Sequence, residues 1–116
     1  MKKFLVVFFL FFSVALFYAH PPSEVTVNYD QTSMILTINV KHAIKESKNT
    51  DPMKHFVKEI AVTVNGSPVI TEAISFQQSD DHEISSYLLN VKSGDKVSVK
   101  ASCSLAGSKV TDIVIK

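Results

Sequence analysis

From His20 onward, apolar and polar residues alternate in short runs broken by turn residues, the period of two that puts one row of a strand inside and the next in water. Val25, Val27 and Tyr29 form one such row, Asp30 to Ser33 turn, and Met34, Leu36, Ile38 and Val40 form the next, which predicts a hairpin. Ile60, Val62 and Val64 run up to Asn65-Gly66, a strong two-residue turn signal, and Val69 to Phe76 runs back. Ser79 to His82 is a polar connection and Ile84 to Val91 another strand. Ser93-Gly94 turns, Lys96 to Cys103 follows, and Val110 to Ile115 closes the chain. In Lys96 to Cys103 the inward row is Val97, Val99, Ala101 and Cys103, alternating with Ser98, Lys100 and Ser102. No helical period is sustained anywhere in this stretch. The pattern predicts an all-β fold, an immunoglobulin-like antiparallel β-sandwich of about seven strands. The cysteine pair and tryptophan of antibody domains are missing, since the chain has one cysteine and no tryptophan.

The first nineteen residues follow a different rule. Met1-Lys2-Lys3 is basic, Phe4 to Phe12 is an unbroken apolar run, and Ser13-Val14-Ala15 and Phe17-Tyr18-Ala19 follow, with small Ala15 and Ala19 at candidate cleavage points and bulky Phe17 between them. That is the layout of a signal peptide, too short to span a membrane as a mature helix. The expected organisation is therefore a signal peptide at 1–19 and one domain at 20–116, exported to the periplasm or secreted, with no membrane association after cleavage. Cleavage after Ala19 makes His20 the new N-terminus, and cleavage after Ala15 leaves four residues more. Roughly a hundred residues then remain, enough for one domain with one modest core.

Charge narrows the function. All twelve cationic residues are lysines, scattered among eleven acids for a net charge of +1. No basic stripe or aromatic platform stands ready for phosphates or bases, so a nucleic-acid partner is excluded. No nucleophile elbow or glycine-rich phosphate loop is present, and Asp80-Asp81-His82 reads as a solvated turn.

Export sharpens the question of the single cysteine, which cannot form an internal disulfide in an oxidising compartment. Cys103 ends the buried row of its strand and is followed by Ser104, Ala106 and Gly107, which suit a tight exit. Its sulfur is expected at a sheet rim, either as a small buried hydrophobe or as a thiolate for a metal. The segment that breaks the strand rhythm, Lys41 to Lys54, is polar, contains Pro52, and is flanked by His42 and His55. Closing such a loop brings the two histidines together whatever its length.

These residues resemble a known family. His55-Phe-Val-Lys-Glu-Ile, running through Val62 and Val64 to Asn65-Gly66, is similar to the histidine-led strand of the superoxide reductase and desulfoferrodoxin iron-binding domain. Lys92-Ser-Gly-Asp-Lys-Val to Cys103-Ser-Leu-Ala-Gly resembles the late segment of that domain, which ends in Cys-Asn-x-His-Gly. The resemblance covers nearly all of 20–116 and implies a seven-stranded immunoglobulin-like sandwich around a mononuclear non-haem iron. It implies that Cys103 is the axial thiolate and His55 the histidine opening its strand. By the same resemblance His42 is the histidine just upstream, with an insertion assumed within Lys45 to Thr50, and His20, in His-Pro-Pro, matches the early His-x-Pro ligand. The chain departs from the family at Ala106, where the motif has histidine, and His82 lies in another connection.

A metal ion is thus the expected partner, bound by His20, His42, His55 and Cys103, and the resemblance adds a small redox partner. Three readings follow. One is a superoxide-reductase-like iron protein that reduces superoxide or passes single electrons. The second is an exported copper- or zinc-binding protein, because three imidazoles and a thiolate suit those ions about as well. The third is an immunoglobulin-like interaction module without metal.

Overall fold

The computed structural model describes residues 20–44 and 55–116. The expected signal peptide at 1–19 and the insertion assumed within Lys45 to Thr50 lie outside the described residues. The described residues form seven strands: β1 (Glu24–Asp30), β2 (Ile35–Lys41), β3 (Val57–Val64), β4 (Ser67–Ala73), β5 (His82–Leu88), β6 (Lys96–Cys103) and β7 (Ser108–Val114). They make a three-stranded sheet in the order β1-β2-β5 and a four-stranded sheet in the order β4-β3-β6-β7, every neighbouring pair antiparallel. This is the expected sandwich. Its fourth strand stays beside β3 instead of crossing to β5 as in an antibody constant domain. No helix among the described residues is long and apolar enough to cross a membrane.

The alternating rows explain why the sheets face each other. Leu36, Ile38 and Val40 of β2 are wholly buried, as are Ile60 and Val62 of β3 and Val97, Val99 and Ala101 of β6. Burying each large aliphatic side chain contributes about 1.5–3 kcal/mol, so these three central strands supply most of the drive for the sheets to close. The Asn65-Gly66 turn forms as its sequence demands, with both residues at positive φ (51° and 85°). Asn65 also reaches Asp95 (Nδ2 to Oδ1, 3.0 Å) and accepts from the Lys96 amide (2.9 Å), fastening two turns at that end of the sandwich.

Strand ends differ from expectation where a neighbour decides them. Residues Ile84 to Val91 read as one strand, yet β5 spans His82–Leu88, because it pairs with β2 from Lys41↔His82 to Ile35↔Leu88; beyond that only the Leu89 amide still reaches across, to Met34 O (2.8 Å), where the chain is already turning. Its inward row is Glu83, Ser85 and Tyr87, and Leu88 points to solvent. β4 likewise ends at Ala73, opposite Glu59 near the start of β3.

Candidate metal centre

Three histidines meet at the end of the sandwich opposite the Asn65-Gly66 turn. His20 precedes β1, His42 follows β2, and His55 precedes β3. Their ring centroids form a near-equilateral triangle with sides of 4.9, 5.0 and 4.7 Å. One ring nitrogen from each lies within 4.8 Å of the others, a spacing at which the group can hold one metal ion. His42 and His55 have no exposure at all, and His20 is half-buried. His82, the fourth histidine, stays out of the cluster, its Nδ1 3.2 Å from the Ser79 hydroxyl.

Backbone pairing places these rings. The amide of His42 donates to Asp81 O (2.8 Å) and that of Ile44 to Asp80 O (2.9 Å), so the β2–β5 ladder continues past the strand end and fixes His42. On the other sheet Val57 pairs with Cys103, a bulge follows between Val57 and Glu59, and Ser104 N donates to Phe56 O (2.9 Å) while Phe56 N donates to Ser104 Oγ (3.0 Å). His55 therefore enters β3 next to the exit of Cys103 from β6. The arm carrying His20 is seated by Ser23 N donating to Lys41 O (2.9 Å). It also packs on the turn after Cys103, where a Cβ at Gly107 (φ 62°) would stand 3.3 Å from the Pro21 Cβ.

The ring nitrogens are not equally provided for. His20 Nε2 is 2.8 Å from Ala43 O and Nδ1 is 3.0 Å from Pro21 O. His42 Nδ1 is 2.8 Å from Gln77 Oε1, and Nε2 is 3.2 Å from His20 O. Both nitrogens of His55 are buried and neither has a partner at full hydrogen-bond geometry, the nearest influence being the His20 backbone, which slightly offsets the lowering of the His55 pKa by burial. A buried polar atom left unbonded costs about 1–3 kcal/mol, and a metal ion is one partner that would remove that cost.

Cys103 is buried at the rim of β6, as its alternation implied, and its thiol is free. It does not complete the trio at the mutual distance of the three nitrogens, but it interacts with His42. Burial pushes its pKa up, yet His42, the amides of Leu105 and Ala106, and the charge on His42 outweigh burial and bring the thiol below its ordinary value. The Leu105 amide donates to Sγ at 3.5 Å. His42 shows the converse: burial lowers its pKa, but Cys103, Gln77 and the His20 carbonyl raise it above the ordinary value. His55 is held below its ordinary value by burial first, then by the neighbouring charges of His42 and His20. His42 and Cys103 thus each favour the charged form of the other.

The sequence pointed to all four of these residues and not to Gln77, which binds the site from behind. Its Oε1 accepts from His42 Nδ1 (2.8 Å) and from the Val57 amide (3.1 Å), and its Nε2 donates to His42 O (2.6 Å) and Ser79 O (2.8 Å). Nothing in the adjacent glutamines Gln77-Gln78 of a connection signals such a role. A pocket of about 240 Å³ opens beside His42, lined also by Ser23, Lys41, Asp81 and His82. Compared with protein-family models, curated proteins and solved structures, the chain matches none.

Proposed function

We propose that this chain is an exported mononuclear metal protein of the superoxide-reductase kind, with non-haem iron held by His20, His42 and His55 and by the Cys103 thiolate. The observation that carries the reading is the histidine trio, in particular the two unbonded nitrogens of wholly buried His55. An apolar residue of similar size would fill that place at lower cost unless an ion were to be bound there. Three clustered imidazoles, one of them interacting with a thiol whose pKa is lowered, are a donor set for a borderline transition metal, not for calcium or magnesium.

A ferrous ion held there would supply one electron, and superoxide needs one electron and two protons to leave as hydrogen peroxide. The histidines and Cys103 would hold the ion and shield it at the buried end of the sandwich, and Ala106 would bring no further imidazole to it. The test is metal analysis of the protein after native export, with visible spectroscopy and a superoxide-decay assay. The expected outcome is one iron per chain and a thiolate-to-iron band on oxidation. In Cys103→Ser the band disappears and the metal loosens markedly. A chain isolated without stoichiometric metal, and unable to take any up, would instead be an interaction module.

Copper is a second reading with its own observation. Of the two His20 contacts, the one from Nε2 to Ala43 O (2.8 Å) is the shorter and the more buried, so Nδ1, on giving up its exposed 3.0 Å contact with Pro21 O, is the nitrogen that would chelate together with the α-amine of the same residue. Processing after Ala19 would free that amine. Intact-mass measurement of the exported protein, followed by competition between Cu(II) and Fe(II), separates the two ions.

A further inference from the structure

We propose that Gln77 is the positioning residue of this centre: it holds His42 in the tautomer protonated at Nδ1 and so presents Nε2 to the ion. The inference rests on the metal-binding reading above. Its premise is the hydrogen-bond inventory of one side chain. Two carbonyls, His42 O at 2.6 Å and Ser79 O at 2.8 Å, both face Nε2 of Gln77 and can only accept, so that atom must be the NH₂ group. The opposite atom is then the amide oxygen, which receives the Val57 amide at 3.1 Å and can only accept from His42 Nδ1 at 2.8 Å. His42 Nδ1 therefore carries its proton whatever happens at the other nitrogen.

A metal takes a ring nitrogen that has a lone pair; Nδ1 is held by Gln77, so it is Nε2, 3.2 Å from the His20 carbonyl in this structure, that would give up that contact and its proton to take the ion. Such a bond behind a ligating histidine fixes tautomer and ring angle and raises the basicity of the ligating nitrogen. Here the same amide ties together the end of β2 through His42 O and the start of β3 through the Val57 amide. The two strands belong to different sheets, and each leads to or from a histidine of the trio. Gln77 thus sets the separation of His42 and His55 as well as the orientation of one ring.

The two halves of the amide can be separated by substitution. Gln77→Glu keeps an oxygen to accept from His42 Nδ1 and loses both donated bonds, whereas Gln77→Leu loses everything. Zn(II) and Co(II) affinities are measured by chelator competition on the full chain, with the Co(II) visible spectrum and the melting temperature of the metal-free protein recorded alongside. Gln77→Leu is expected to weaken both metals by about 10- to 100-fold. Gln77→Glu should stay within about threefold of the parent and keep its cobalt spectrum, although it melts lower. Equal loss of affinity in the two variants would overturn the proposal, because that is what a purely structural clamp predicts; so would an unchanged affinity in Gln77→Leu.

Should Gln77→Leu fail to fold, imidazole ¹⁵N shifts of the Zn(II)-loaded parent decide the question, with His42 metallated at Nε2 and protonated at Nδ1. The opposite assignment would overturn it. A parent chain that binds neither metal refutes the metal centre itself, an outcome distinct from a parent that binds and a Gln77 variant that does not care.

Discussion

His55 is wholly buried among the histidines, yet neither of its ring nitrogens has a hydrogen bond. Its removal should therefore act in opposite directions on stability and on binding. His55→Leu, similar in volume and without polar atoms, is expected to stabilise the metal-free protein by about 1–2 kcal/mol in urea unfolding. The same substitution should remove most of the stabilisation that added Zn(II) gives the parent, about 2.7 kcal/mol at a hundred times the dissociation constant. A variant destabilised without metal would mean that His55 serves packing. Cys103 carries a complementary lesson at this scale. Its place in the buried row could be read from the alternation with Ser98, Lys100 and Ser102, but the lowered thiol pKa could not, since its largest lowering cause is His42, sixty-one positions away in the chain, with the Leu105 and Ala106 amides adding to it.

Among the strands, β6 was the most legible and β5 the least. In β6 every inward residue is small or aliphatic and is buried, so sequence pattern and register agree to the residue. In β5 the inward row is Glu83, Ser85 and Tyr87 while Ile84 and Leu88 face out, because pairing with β2, not the hydrophobicity of β5 itself, sets its register. Gln77 was hidden for a related reason: a residue that works by four hydrogen bonds, to His42, Val57 and nearby Ser79, leaves no periodic trace. The inverted row has a consequence at Glu83. Burial raises its carboxyl pKa, the Gln78 amide partly offsets this, Glu72 on β4 adds to it, and neighbouring His82 opposes it. A carboxyl whose folded pKa is raised favours the folded state at low pH. That contribution is lost as pH rises from about 4.3, the ordinary glutamate value, through the folded pKa. Glu83→Gln keeps an acceptor for the Gln78 amide and cannot ionise. Urea unfolding of the metal-free protein from pH 4 to 7 should therefore show the parent falling relative to this variant as pH rises. A parallel pair of curves would remove Glu83 as the cause.

Across the molecule, the four candidate ligands divide evenly between the sheets. His20 and His42 flank strands of the three-stranded sheet, and His55 and Cys103 lie on β3 and β6 of the four-stranded one. An ion bound by them would act as a staple between the sheets at one pole, whereas the other pole is already fastened by Asn65, Asp95 and Lys96. The central strands are held by aliphatic burial and have little to gain from such a staple. The arm from His20 to Ser23 has the most to gain, because among the described residues its one backbone–backbone bond is that from Ser23 N to Lys41 O, beside side-chain contacts. Local opening of weakly tethered segments dominates hydrogen exchange in the native state. Adding Zn(II) should therefore slow exchange at Ser23, His42 to Ile44, His55 to Val57 and Cys103 to Gly107. Exchange at Asn65-Gly66 and Lys92 to Lys96 should stay as it was. Protection spread evenly over both poles would point to a general gain in global stability with no localised staple, and protection confined to one sheet would mean that the ion does not bridge the two.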